Sequence, residues 1–336
     1  MKKYNVAILG ATGAVGREML KVLEERDFPI GRLLLLASSH SVGKKMTFKG
    51  KEYEVQEATH DSFKGLDIVL GASANAIAKE FAKDIVGAGA LFIDNSSAFR
   101  MDPNVPLVVP EINPDDIKKH HGIISNPNCS TIITLLAVYP IHKLSPIKAM
   151  VASTYQAVSG AGAKGPLELE EQMKASISKE TITPNVFQYQ IASNLIPHIG
   201  SFNEDGYTTE EMKMQNEGRK IMHAPSLKVS CTCVRVPVMR SHSISVTLIT
   251  EKPLEIVDIR NAIASYPGLK LYDDPTKNMY PMPLLTSDQD LVYVGRIRKD
   301  IAFDNGIALW CSGDQVRKGA ATNAVEIAIK WVEQQC

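Results

Sequence analysis

No stretch of this chain approaches the roughly 18–20 consecutive apolar residues that a membrane span needs. The opening apolar run, Tyr4 to Gly10, is short and passes straight into a glycine turn. It reads as a strand and not as the core of an export signal. Cysteines are few, scattered and odd in number: Cys129, Cys231, Cys233, Cys311 and Cys336. Without an export signal, such a set fits a reducing compartment, and a cytoplasmic location is expected. An excess of one charge is missing too. Lys plus Arg and Asp plus Glu both number 37, which argues against nucleic acid or a membrane surface as partner. A small anionic ligand would still need only a local basic pocket. Metal-ligand spacing is absent: Cys231 and Cys233 share a strand face, but no second ligand pair lies nearby, so no metal is expected. There is no internal repeat and no low-complexity segment.

What is present is a long chain, 336 residues and 44% hydrophobic, sized for two domains. Strand-like runs at 4–10, 33–37, 67–71 and 91–94 alternate with helical patterns at 14–27 and 75–88. Short apolar runs follow at 107–109 and 122–125. Fully apolar strands alternating with helices indicate a doubly wound parallel α/β sheet of the Rossmann type. Beyond about residue 127 the pattern changes. A helix at 129–143 leads to a strand at 147–157, a charged helix at 165–178 and an irregular stretch at 180–207. A helix at 209–222 precedes strands at 228–236, 243–250, 291–297 and 306–311, and a helix at 317–334 ends the chain. Long strands with few helices between them suggest an α+β second domain with a mixed sheet. The expected division is a dinucleotide-binding domain at 1–127, joined by the C-terminal helix 317–336, and a catalytic and dimerisation domain at 128–316.

Gly10, Gly13 and Gly16 stand between the first strand and first helix as G-A-T-G-A-V-G. Glycines there allow a tight turn and let backbone approach a pyrophosphate at the helix N-terminus. The alternative is a plain glycine-rich turn. An NAD enzyme usually carries Asp or Glu where the second strand ends. This chain has Ser38, Ser39, His40 and Ser41, then Lys44 and Lys45. Hydroxyls and cations suit a 2′-phosphate, so NADP is the expected cofactor; an ordinary polar loop is the alternative.

Ser125-Asn126-Pro127-Asn128-Cys129-Ser130-Thr131 links an apolar strand to an apolar helix. Asn128 is placed as N-cap and Cys129 in the first turn, where free amides and the helix dipole favour a thiolate. A thiolate can attack a carbonyl and hold the acyl group. A small buried cysteine is the competing reading. The dinucleotide motif upstream favours a nucleophile that feeds hydride chemistry.

Six segments carry a resemblance along the whole chain: G-A-T-G-A-V-G, D-N-S-S-A-F-R, S-N-P-N-C-S-T, Y-Q-A-V-S-G-A-G, V-R-V-P-V-x-R-S-H-S and V-R-K-G-A-A-T-N-A-V. Together they resemble the aspartate-semialdehyde dehydrogenase family. That resemblance implies NADPH-dependent reduction of L-aspartyl 4-phosphate to aspartate semialdehyde with release of phosphate, in lysine (diaminopimelate), methionine and threonine biosynthesis. It also implies a homodimer, with the second domain's long strands and the 165–178 helix as candidate interface. By resemblance, Cys129 is the acyl-accepting nucleophile and His242 the acid/base. Arg235 is the substrate-carboxylate clamp, Gln156 orients the substrate and Glu210 meets its amine. Arg100 and Lys213 form the phosphate site. Thr12, Gly13, Ala14, Val15, His40, Ser41, Ser159, Gly160 and Gln315 are implied for the cofactor. Many members have Arg at His40, and Ser312-Gly313-Asp314-Gln315 departs from the family's Ser-Asp-Asn pattern.

Each of these has a structural alternative. Arg100 could be a surface arginine, and Glu210 with Lys213 a solvated helix pair. Thr208 and Glu211 read as a capping box, which is purely structural. Arg235 and His242 are seven apart, and an odd offset on one straight strand points side chains opposite ways. Residues 237–241 must therefore bend if both face one site. Rival functions are an N-acetylglutamyl-phosphate reductase, a malonyl-CoA reductase on a related scaffold, and a dinucleotide-binding regulator without turnover. The regulator would not need Cys129, Arg235 and His242 together. Arg235, Gln156 and Glu210 suit a free amino acid, against the acetylated substrate.

Overall fold

The computed structural model describes residues 2–335. The chain forms two compact units, one of residues up to 128 together with those from 320 onward, the other of residues 129–319.

The first unit is built on strands that are apolar on both faces. Its elements are β1 (Tyr4–Leu9), α1 (Ala14–Glu25), β2 (Ile30–Ala37), β3 (Lys45–Phe48), β4 (Lys51–Glu54), β5 (Gln56–Glu57), β6 (Ile68–Gly71), α2 (Asn75–Gly87), β7 (Leu91–Asp94) and β8 (Ile123–Ser125). Successive side chains of a strand point to opposite faces. Val6, Ile8, Leu33, Leu35, Ile68 and Leu70 accordingly join one core, with Met19, Val22 and Leu23 of α1 and Val325 and Ile327 of the C-terminal helix (Thr322–Gln334). Their neighbours Ala7, Leu9, Leu34, Leu36 and Val69 join a second core with Phe81, Ala82 and Ile85 of α2. A strand buried on both faces reads as a continuous apolar run, which is the signature of a covered parallel sheet. The strand order is β5-β2-β1-β6-β7-β8, and every pairing is parallel. Of the two short apolar runs, only 123–125 becomes a strand; Leu107 makes a single bridge to Ser125. The hairpin of β3 and β4 went unread in the sequence; its turn is Lys49-Gly50, both at positive φ.

Gly16 shows why the first helix must start with small residues. A Cβ there would lie 2.3 Å from Gly10 O and 2.8 Å from Ala11 Cα. Those are backbone atoms and cannot step aside as a flexible side chain would. Gly16→Ala is expected to destabilise the fold by about 1–3 kcal/mol. Urea unfolding checks this, and an unchanged midpoint would show that the turn absorbs the methyl group.

The second unit holds α3 (Cys129–Leu144), β9 (Ile147–Gln156), α4 (Lys164–Ser178), α5 (Thr209–Ile221), β10 (Lys228–Arg235), β11 (His242–Thr250), α6 (Ile256–Ser265), β12 (Leu269–Leu271), β13 (Val292–Lys299) and β14 (Gly306–Gly313). The sheet order is β10-β9-β11-β14-β13-β12. β10 with β9 and β12 with β13 are parallel, and the other pairs are antiparallel, so the sheet is mixed. Apolar α3 packs against β9, β11, β13 and β14. The strands alternate as this requires. Met150, Ala152, Val246 and Leu248 are buried, whereas Val151, Ser153, Tyr155, Ser245 and Thr247 are exposed or half-buried. One face is thus packed and the other more open. The weak apolar spacing of α6, with only Ile259 and Ile263 buried, explains why it and β12 escaped the sequence reading.

The expected continuous helix from 317 is a correction. Residues Arg317–Ala321 form a π-helical turn, and the α-helix starts only at Thr322. The Gly319 N–H donates to Asp314 O, five residues back, at 3.0 Å. A Cβ on Gly319 would sit 3.0 Å from Cys129 Cβ, so close packing against the cysteine accompanies the wider turn. Among the described residues, no helix is long and apolar enough to cross a membrane.

Candidate active site

In the first unit, β1 lies between β2 and β6, at the point where strand order reverses. Ligands of open α/β sheets bind beyond the strand ends at such a switch point. Gly10 follows β1 with φ +91°, and a Cβ there would lie 2.6 Å from Ala72 O. Gly13 is the extended N-cap of α1, its N–H donates to Gly10 O at 3.1 Å, and Ala14 and Val15 open the helix. The free amides of a helix start suit an anion. Thr12 Oγ1 lies 3.3 Å from Ser41 Oγ, which also accepts from Lys44 Nζ at 3.4 Å. Lys45 instead pairs with Glu52 at 2.8 Å. Ser38 and His40 are exposed beside buried Ser41. Arg100 also belongs to this unit. It is buried, not a surface arginine, and donates to the Asn126 and Asn95 carbonyls at 2.9 and 2.8 Å.

The second unit brings together Cys129, Gln156, Ser159, Gly160, Glu210, Lys213, Arg235, His242 and Gln315, and element ends are what place them. Cys129 is the first residue of α3 and half-buried. Gln156 ends β9 and Arg235 ends β10, directly paired across that parallel ladder. His242 begins β11. The capping box of Thr208 and Glu211 starts α5, so Glu210 and Lys213 fall on one helix face. Glu210 accepts from Lys213 Nζ at 2.8 Å and from Gln156 Nε2 at 3.2 Å. It is buried, so the pair is not a solvated one.

Ala157 is the residue that the sequence reading missed. Its carbonyl accepts from Arg235 Nη1 at 2.8 Å, and its N–H donates to His242 Nδ1 at 3.1 Å. One peptide residue therefore orients both side chains. The chain between them bends: Ser241 has φ +73°, Val158 N–H donates to Val238 O, and Ser241 N–H donates to Gln315 Oε1. That bend resolves the odd offset. Gly160 borders both groups; a Cβ there would lie 2.7 Å from Arg235 Nη1 and 3.1 Å from His242 Cε1. Its hydrogen keeps that space open. No local sequence signal distinguishes Ala157, because its function lies in its backbone.

Since His242 Nδ1 accepts a hydrogen bond, the neutral ring carries its proton on Nε2. Nε2 is fully buried with no hydrogen-bond partner among the described residues. A buried donor without a partner needs an explanation, and an incoming oxygen atom is one. Burial first, then the Arg235 guanidinium, push the imidazole down to about 3. Burial lowers Arg235 as well, offset by Cys129 and Glu210 within electrostatic reach. Cys311 is buried in β14 and its thiol pushed up to about 12, an inert setting. Cys231 and Cys233 share the expected face with sulfurs 3.8 Å apart.

The depressed His242 value has a consequence for stability. The folded state holds this histidine neutral down to about pH 3, whereas the unfolded chain protonates it near 6.5. The unfolded state binds more protons between these values, so stability falls as pH drops through that window. Acidification from pH 8 to pH 5 should remove about 2 kcal/mol by this route. Denaturant titrations at both pH values test it, because His242→Asn should lose that much less.

A switch-point glycine turn in one unit, and a thiol, an imidazole and a guanidinium in the other, are marks of a dehydrogenase working on a carbonyl. Two family models match in the same sense: the semialdehyde dehydrogenase NAD-binding domain over residues 5–120, and its dimerisation domain over residues 138–318. Aspartate-semialdehyde dehydrogenase of Aquifex aeolicus is 53% identical over 335 residues, covering 98% of each chain. That of Bacillus subtilis is 49% identical over 96% of each. The structure of aspartate semialdehyde dehydrogenase II from Vibrio cholerae complexed with ASA matches with TM-score 0.97 at 42% identity, over 99% of each chain. The chain belongs to the aspartate-semialdehyde dehydrogenase family.

Proposed function

We propose that the protein reduces L-aspartyl 4-phosphate to aspartate 4-semialdehyde with NADPH, releasing phosphate, in the synthesis of lysine, methionine and threonine. The observation that carries this is the Ala157 peptide, which holds the Arg235 guanidinium and a neutral imidazole around the space left by Gly160. Arg235 would take the substrate α-carboxylate through its guanidinium fork. Buried Glu210 would receive the ammonium, with Gln156 fixing its orientation. Lys213 and Arg100 are assigned to phosphate.

Cys129 Sγ attacks the acyl carbon, the bond to the phosphate oxygen breaks, and a thioester forms. The Nε2–H of His242 hydrogen-bonds the carbonyl oxygen as negative charge develops there. NADPH, when bound, supplies the hydride that reduces the thioester. Departure of the Cys129 thiolate then frees the semialdehyde.

The residues present fit the dinucleotide. Gly10 and Gly16 permit the close backbone packing of a tight turn, which presents the free amides at the start of α1 to a pyrophosphate, and Ser38 through Ser41 bring no carboxylate against a 2′-phosphate. Thr12, Ala14, Val15, Ser38, His40 and Ser41, with Ser159, Gly160 and Gln315, are the proposed contacts. Residues 1–127 with the C-terminal helix are assigned to NADP, and 128–316 to catalysis and dimerisation. A homodimer fits the half-open sheet face, where Tyr155 and Trp310 rings lie 5.3 Å apart. The free thiols among the described residues suit a cytoplasmic setting.

The test runs the reaction in reverse: NADP reduction with aspartate semialdehyde, with and without phosphate. Turnover that requires phosphate, and prefers NADP to NAD, is the expected result. A folded sample that acts only on N-acetylglutamate semialdehyde would overturn the substrate.

A further inference from the structure

Residues 180–207 contain no regular element, yet the part of this stretch around 185–192 is held tightly by two side chains of α4, Glu168 and Gln172. Glu168 is buried, and its carboxylate accepts the backbone N–H groups of Asn185 at 3.1 Å, of Val186, and of Phe187 at 3.5 Å. Gln172, one turn on and also buried, donates to Glu168 at 3.0 Å. Its own oxygen accepts Ile191 and Ala192 N–H at 2.8 and 3.1 Å. Five amides of an irregular segment thus end on one helix face.

The segment they shape borders Arg235. The Phe187 ring stands 5.8 Å from the guanidinium carbon, within the range of a cation–π contact. Ile196 exchanges both backbone hydrogen bonds with Arg235, at 3.0 and 2.8 Å. Val158, Leu169, Ile191, Ala192 and Ile196 form the small core beneath, with Phe187 packed on it. Arg235 is therefore fixed from two sides, by the Ala157 carbonyl and by this loop.

We propose that Glu168 is a positioning residue for the substrate-carboxylate clamp, acting through Phe187 on the plane of the Arg235 guanidinium. This rests on the reading of Arg235 as that clamp. A planar fork binds a carboxylate bidentately only when its plane is set. A carboxylate that accepts several backbone amides holds such a loop through charge-assisted hydrogen bonds, which are roughly twice as strong as neutral ones. Glu168 touches neither substrate nor cofactor in this scheme.

The test is steady-state kinetics of the full-length protein in the oxidative direction. Glu168→Ala and Phe187→Ala should each raise KM for aspartate semialdehyde about tenfold, the scale of a desolvated cation–π contact. The KM values for phosphate and NADP, and kcat, should stay within about threefold. Glu168→Gln keeps one acceptor oxygen but turns an NH2 toward donors on the other side, so its KM should fall between the native and Glu168→Ala values. Adding Phe187→Ala to Arg235→Lys should change KM little further, because both act on one clamp. Parallel losses in kcat and all three KM values, or full additivity with Arg235→Lys, would make the anchor merely structural and overturn the proposal. If Glu168→Ala does not fold, Phe187→Ala decides alone, since it removes only a half-buried ring. An unchanged KM in Arg235→Lys would overturn the clamp reading itself. A raised KM there with a native KM in Phe187→Ala would overturn only the positioning role.

Discussion

Cys129→Ala should lose phosphate-dependent NADP reduction by about four orders of magnitude, the scale on which deleting a covalent nucleophile acts. Without the sulfur no thioester forms, and phosphate has no acyl group to cleave. The loss should be confined to chemistry. Cys129 opens α3 and is half-buried, so its replacement by alanine removes little packing. NADPH affinity, read by fluorescence titration, and the melting temperature should both stay near native. Native turnover in the variant would remove Cys129 from the mechanism. Alkylation gives a parallel reading: a thiol at a helix start reacts as a thiolate, so iodoacetamide should inactivate the protein with substrate protecting it.

The second large effect is expected at His242. His242→Asn should lower kcat by about 10²–10³ with little change in KM for the semialdehyde. Asparagine retains an acceptor for the Ala157 N–H, so the strand start stays in place, but its shorter side chain does not carry a donor out to the Nε2 position. Folding and substrate binding are thereby separated from the proton at the reacting oxygen. Because burial and Arg235 push this imidazole to about 3, the native kcat/KM profile should carry no inflection from His242 between pH 5 and 8. An inflection in that range that disappears in His242→Asn would show that the group titrates in the working enzyme. A variant with native kcat would assign the proton to another residue.

Much of the fold was legible because it is written in local periodicity. The doubly apolar strands of the first unit, the capping box at Thr208 and the start of α3 after Pro127-Asn128 are features of short windows. Elements that bury few apolar residues were not legible. The β3–β4 hairpin presents only Met46 and Phe48 to the core from β3, alternating with exposed lysine and threonine. α6 buries two isoleucines. The π-helical turn at Arg317–Ala321 follows a sequence that reads as unbroken helix; its width goes with a contact to Cys129, almost two hundred residues earlier.

The site divides in the same way. By itself the sequence determined the chemistry on offer: a thiol at a helix start, a glycine turn for a pyrophosphate, hydroxyls without an acid after the second strand, and, through the family resemblance, an arginine and a histidine whose odd spacing requires a bend if both face one site. These depend on residue type and short-range spacing, which a chain carries before it folds. Only the tertiary structure decided how the groups are poised. The bend at Ser241, the buried hydrogen bond of Gln156 to Glu210, and the anchoring of Phe187 by Glu168 each join positions outside any short window of sequence. Above all, the Ala157 peptide sets the His242 tautomer and the Arg235 fork at once. A backbone group leaves no mark in residue identity, so its role appears only when folding brings the two side chains to it.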